Sequence, residues 1–144
     1  MKADRARIEE ILPHRDPFLF VDEVVVQEDQ TILAKRQWTG DEFFFAGHFP
    51  KYPVAPGVIL IETMAQAGGI GAKLAGLAKD GLFFLAAVNN VKFRRQVRPG
   101  DLFEIKVTNL RTSDKLIKQK GEGFVGGELA IEADWLCIAG EAQI

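Results

Sequence analysis

The chain has 144 residues, of which 47% are hydrophobic and 26% charged, and its formal net charge is −2. That length suits one domain with its own core, spanning residues 1–144, and the near-neutral balance excludes a general pull toward nucleic acid or an anionic membrane surface. The opening MKADRARIEE has no apolar signal region, and a single cysteine, Cys137, excludes an internal disulfide and fits a reducing, cytoplasmic compartment.

Residues 4 to 12 (DRARIEEIL) predict a short helix with Asp4 as N-cap and Pro13 as its end. HRDP is a turn, and its His14 is a candidate second functional imidazole, although the two neighbouring prolines favour a structural role. Residues 18 to 27 and 31 to 38 predict an antiparallel pair across Glu28-Asp29-Gln30. Residues 39 to 57 are loop, with aromatic Phe43, Phe44 and Phe45 and then His48.

From Val58 the chain predicts a helix apolar almost all round, with Glu62 its one ionisable side chain as far as Ala72. Such a helix is normally the buried centre of a domain, and a lone carboxylate there must be satisfied or neutral. Glu62, Gln66 and Lys73 share one face and form a polar stripe. The stripe, with Gly68, Gly69, Gly71 and Gly76, argues against a membrane span. Lys79-Asp80-Gly81 closes the helix, with Gly81 as its C′ residue.

Past Gly81 the pattern is sheet. LFFLAAV (82 to 88) is a continuous apolar run that fits a central strand, followed by VKFRRQV and the turn Arg98-Pro99-Gly100-Asp101. From 102 to 107, Phe103, Ile105 and Val107 alternate with Leu102, Glu104 and Lys106 as one buried face. Lys115 to Val125 is a weaker strand because of Gly121 and Gly123, and 128 to 138 alternates again. The expectation is an α+β domain in which an antiparallel sheet wraps one long helix. Two histidines and one cysteine make no metal-ligand cluster, and the glycines fit neither a dinucleotide fingerprint nor a P-loop. Cys137 lies in a strand-like run and reads as a buried, inert thiol.

The segment GHFPKYPVAPGVILIETMAQAG resembles the active-site signature of the β-hydroxyacyl-acyl carrier protein dehydratases of type II fatty acid synthesis. LPHRDPFLFVDEV (12 to 24) and VKFRRQVRPGD (91 to 101) agree with that family in order and spacing. The resemblance covers about the whole chain. It implies a hotdog fold with about six strands around the central helix. It also implies a lyase that needs no cofactor and a homodimer, or a trimer of dimers, whose sites take His from one chain and Glu from the other.

Dehydrating a β-hydroxyacyl thioester needs a base at Cα, an acid at the β-hydroxyl and stabilisation of the thioester oxygen. His48 suits the base, since imidazole exchanges protons near neutrality. Glu62 suits the acid, since burial favours the protonated form of a carboxyl. Carried over from the family, the Gly57 N–H would be the oxyanion donor, the Val58 carbonyl would orient His48, and Gln66 would bond the Glu62 carboxyl or its water. Lys92, Arg94, Arg95 and Arg98 form a basic cluster that is either a solvated strand face or, by the resemblance, a dock for an acidic carrier protein. That carrier would deliver a β-hydroxyacyl-phosphopantetheine. Lys51, Ala55, Phe84 and Asn89 depart from the family pattern; Phe84 replaces a tyrosine that gates the acyl tunnel in several relatives. A hotdog thioesterase and a non-catalytic acyl-binding module are the alternatives. The retained His48 and Glu62 argue against both.

Overall fold

The protein is described by a computed structural model over residues 1–140; the last four positions of the expected domain lie outside the described residues. In chain order the elements are β1 (Lys2–Ala3), α1 (Arg5–Ile11), β2 (Glu23–Val26), β3 (Ile32–Gln37), α2 (Gly57–Leu74), β4 (Leu82–Phe93), β5 (Leu102–Thr112), β6 (Leu116–Val125) and β7 (Glu128–Gly140). The strands form one antiparallel sheet in the order β1-β2-β3-β5-β6-β7-β4, packed on α2 in the expected hotdog arrangement. The described sheet has seven strands rather than about six, because the two-residue β1 adds a rung beside β2.

The core forms where the apolar faces of α2 and the sheet meet. Met64, Ala67 and Ile70 of α2 are fully buried with Ile32, Phe103, Ile131 and Trp135 of the strands. At about 25 cal/mol per Å² of apolar area, burying each large side chain stabilises the domain by about 1.5–3 kcal/mol. Gly121 reads as a strand breaker but sits inside β6, because a Cβ there would run into the Trp135 ring. Glycine therefore marks close packing at this point, not a weak strand. One buried amide joins helix to sheet. Gln119 donates from Nε2 to the Gly68 carbonyl at 3.0 Å and to Asn109 Oδ1 at 2.8 Å, and its Oε1 accepts the Trp135 indole N–H at 3.1 Å.

Three expectations change. The helix ends at Leu74, and the C′ residue is Gly76 (φ +74°), not Gly81. Gly76 N–H donates to the Lys73 carbonyl at 3.0 Å and Leu77 N–H to that of Ala72 at 2.9 Å, the paired bonds of a Schellman ending. The strand expected over 18 to 27 shortens to β2, because the Phe18 carbonyl and Phe20 N–H bond a helix side chain instead of a neighbouring strand. The run expected as a central strand is the edge strand β4, bonded among the described residues to β7 alone. Its apolar side chains are therefore not all covered: Phe84 is 54% exposed and Phe93 57%.

Candidate active site

His48 is held by its own loop. The His48 carbonyl accepts Val54 N–H at 2.8 Å, and the His48 ring bonds through Nδ1 to the Val54 carbonyl at 2.9 Å. A carbonyl only accepts, so Nδ1 carries the ring proton and Nε2 keeps its lone pair. The orienting carbonyl is therefore that of Val54, not Val58. Val58 lies inside α2, where its carbonyl belongs to the helix ladder. The turn at Lys51 closes by Phe49 and Tyr52 exchanging backbone bonds of 3.1 and 3.0 Å, and it needs no positive φ. Outside contacts seat the loop: Ala55 N–H donates to the Val97 carbonyl at 2.7 Å, the Tyr52 hydroxyl donates to Gln96 at 2.8 Å, and the Arg98 guanidinium lies 4.0 Å over the Tyr52 ring.

Upstream, Glu42 anchors the approach to the same loop. It accepts the Thr39 and Gly40 N–H groups at 3.1 and 2.8 Å and the Arg36 guanidinium at 2.8 Å. Burial alone would raise the Glu42 carboxyl, but these backbone donors, its own N–H and Arg36 outweigh that and hold it at about 2.

Glu62 sits elsewhere, in a cavity of about 320 Å³ between α2, the segment after α1 and the start of β4. Leu12, Phe84, Ile117 and Cys137 give this cavity apolar walls, and Gln66, Lys73 and His14 line it too. Phe84 thus faces the Glu62 cavity. The stripe read from the sequence is real: Gln66 Nε2 donates to Glu62 Oε1 at 3.1 Å, and Lys73 lies beyond, bonded to the Gly81 carbonyl at 2.7 Å. Burial, then the neighbouring Glu62, pushes the Cys137 thiol up to about 11, which keeps it protonated and inert. His48 does not line this cavity, and among the described residues no hydrogen bond or ion pair links it to Glu62.

The imidazole beside Glu62 is His14, whose Nε2 is 3.6 Å from Glu62 Oε1. Reading that histidine as a turn residue missed its placement. The available signal was its position in LPHRDPFLFVDEV, one of the three segments that carry the family resemblance.

Gly57 opens α2 after Pro56, so its N–H is one of those a helix leaves without an internal acceptor. It lines an open groove with Val54, Phe93, Arg94 and Arg95. Val58 is 72% exposed. The basic cluster is partly neutralised: Arg94 pairs with Glu132 at 3.1 Å and Arg95 with Glu128 at 2.9 Å, while Lys92 lies opposite Glu132 in the ladder. Among the described residues no group of three or more His, Cys, Asp or Glu side chains could hold a metal ion, and no helix is long and apolar enough to cross a membrane.

Residues 12–134 match the FabA-like domain family. The chain is 43% identical to the 3-hydroxyacyl-[acyl-carrier-protein] dehydratase FabZ of Oceanobacillus iheyensis over 91% of this chain and 94% of that one. It is 37% identical to the FabZ of Bacillus subtilis over 96% and 99%. Among solved structures it resembles the dehydratase heterocomplex ApeI:P of Xenorhabdus doucetiae, with a TM-score of 0.74 over 93% and 91% of the two chains at 21% identity. A putative thioesterase from Ralstonia eutropha shares the fold at a TM-score of 0.60 and 16% identity, covering 81% and 83%. The fold is thus common to proteins with different names, whereas the sequence is specific, and the chain belongs to the FabA-like family and, within it, to the FabZ 3-hydroxyacyl-[acyl-carrier-protein] dehydratases.

Proposed function

We propose that this chain catalyses the reversible loss of water from (3R)-hydroxyacyl thioesters carried by acyl carrier protein, giving trans-2-enoyl thioesters for fatty acid synthesis in the cytoplasm. The observation that carries this reading is that both halves of an acid–base pair are prepared but kept apart in one chain. His48 presents a bare Nε2, and Glu62 occupies an apolar cavity. His48 Nε2 takes a proton from Cα as Glu62 gives one to the β-hydroxyl. The C–O bond breaks, water leaves and the Cα–Cβ double bond forms. The Gly57 N–H stabilises the thioester oxygen as charge builds there.

A second copy of the chain completes the site. β4 is a twelve-residue edge strand with exposed Phe84 and Phe93, the kind of edge that pairs with another strand. The homodimer is the unit proposed, with a trimer of dimers as the larger assembly. The groove from Arg94 and Arg95 to Gly57 suits the phosphopantetheine arm, with Lys92 and Arg98 widening the basic rim on which an acidic carrier docks. Replacing Arg94 and Arg95 by alanine is expected to raise KM for carrier-protein substrates while leaving pantetheine thioesters unchanged. Equal losses on both would assign the arginines to the fold.

Two measurements test the reading. Hydration of a crotonyl thioester should far outrun hydrolysis of a saturated one; the reverse would identify a thioesterase, and no turnover of either a binding module. Co-expressing His48→Ala and Glu62→Ala chains should recover about a quarter of wild-type sites by random pairing. An inactive mixture in which mass analysis finds mixed dimers would refute the shared site.

A further inference from the structure

The segment between α1 and β2 brings His14 to Glu62, and Phe18 and Phe20 to Gln66. His14 lines the Glu62 cavity, with its Nε2 3.6 Å from Glu62 Oε1. That gap is longer than a hydrogen bond, so the two groups are neighbours in this structure rather than bonded partners. The other ring nitrogen, Nδ1, is buried and has no partner among the described residues. A buried donor left unpaired is rarer than an acceptor left unpaired. The favoured neutral tautomer therefore leaves Nδ1 bare and points an Nε2–H at Oε1.

Gln66 makes the same demand on the same oxygen. Its Oε1 accepts the Phe20 N–H at 2.9 Å, which forces the amide NH₂ to the other side. That NH₂ donates to the Phe18 carbonyl at 3.0 Å and to Glu62 Oε1 at 3.1 Å. Two N–H groups facing Oε1 occupy it as an acceptor whichever form the carboxyl takes, so when Glu62 carries its acidic hydrogen the place left for it is Oε2. Arg15 keeps the turn in place by donating to the carbonyls of Leu12 at 2.8 Å, His14 at 2.7 Å and Glu9 at 2.8 Å.

We propose that His14 is a positioning residue for the acid. Together with Gln66 it fixes Glu62 Oε1 as the acceptor, so that Oε2 carries and delivers the proton. The inference rests on Glu62 being the acid, as proposed above.

The test compares His14→Phe, His14→Gln and Glu62→Gln in steady-state dehydration of a β-hydroxyacyl pantetheine thioester, with melting curves to confirm folding. His14→Phe keeps a ring in the turn but has no donor, and should lower kcat roughly 10- to 100-fold with KM changed less than about two-fold. His14→Gln places an amide N–H near the lost Nε2 and should restore most of kcat. A packing role predicts the opposite order, since phenylalanine fills the space better. Wild-type kcat in His14→Phe, a loss confined to KM, or no advantage of Gln over Phe would each overturn the inference. Inactive Glu62→Gln beside unaffected His14→Phe would sink this inference alone, whereas active Glu62→Gln would sink the acid assignment with it.

Discussion

The two halves of the site are built by opposite means. His48 is oriented by a carbonyl six residues away in its own loop, and Val54 N–H returns a bond to the His48 carbonyl. Glu62 is oriented by side chains whose own supports are remote. Gln66 is fixed by Phe18 and Phe20, 48 and 46 positions earlier, and His14 comes from the same distant turn. The first half is local and made of backbone, so it tolerates side-chain change around it. The second is assembled only when the chain folds, so it is sensitive to side chains far from the chemistry.

Removing the functional groups themselves should have the largest effect on both halves. His48→Ala and Glu62→Gln are each expected to lower kcat about 10²- to 10⁴-fold in folded protein. A near-normal rate from either would break the pairing of roles. Next is the anchor of the His48 approach. Because the folded Glu42 carboxyl is held at about 2 against 4.5 when free, its stabilising contribution is complete above about pH 4.5 and is lost as pH falls through about 2. That contribution is on the order of 3 kcal/mol. Acid unfolding should therefore be flatter in Glu42→Gln, and identical acid limbs would remove Glu42 from the account.

Gln66→Leu leaves the Phe20 N–H and Phe18 carbonyl without their partner and should cost about 1–3 kcal/mol of stability, together with a fall in kcat. Chemical denaturation alongside kinetics separates the two; lost stability with intact kcat would mean that Gln66 serves the turn and not the acid. The smallest effect is expected at Val54. Since His48 bonds its carbonyl and not its side chain, Val54→Ala should keep kcat within about two-fold, close to the ordinary scatter of surface substitutions. A large loss there would show that the His48 half also depends on side-chain packing.

Local signals in the sequence were reliable where one element supplies both the pattern and its reason. The alternation over 102 to 107 became β5, with Phe103, Ile105 and Val107 buried. Asp4 caps α1 by accepting Arg7 N–H at 3.0 Å. Reading failed where a pattern has two physical outcomes. Gly76 and Gly81 both adopt positive φ, and only the bonds to Ala72 and Lys73 single out Gly76 as the helix end. The apolar run of β4 fits either a central strand or an edge awaiting a partner. His48, Glu62 and Gln66 came into view as candidates through a family resemblance; the match to the FabA-like model supports the family, and of the expected contacts Gln66 does bond Glu62. The Val54 carbonyl was not legible, because a backbone acceptor carries no sequence signal, and the contact of His14 with Glu62 was not, because it forms only when the chain folds.

The Gln119 amide sets the rotational phase of the long helix. Neighbouring residues of an α-helix are about 100° apart around its axis. A slip of α2 by one position would thus swing Glu62 and Gln66 out of their cavity while leaving the rod almost equally apolar, since hydrophobic contact is non-directional. The hydrogen bond from Gln119 to the Gly68 carbonyl is directional and admits one angle. A methyl group at Gly68 would collide with that amide and force the helix to turn or lift. Strand β6, which carries Gln119, thereby governs the bearing of Glu62, about two turns back along the helix.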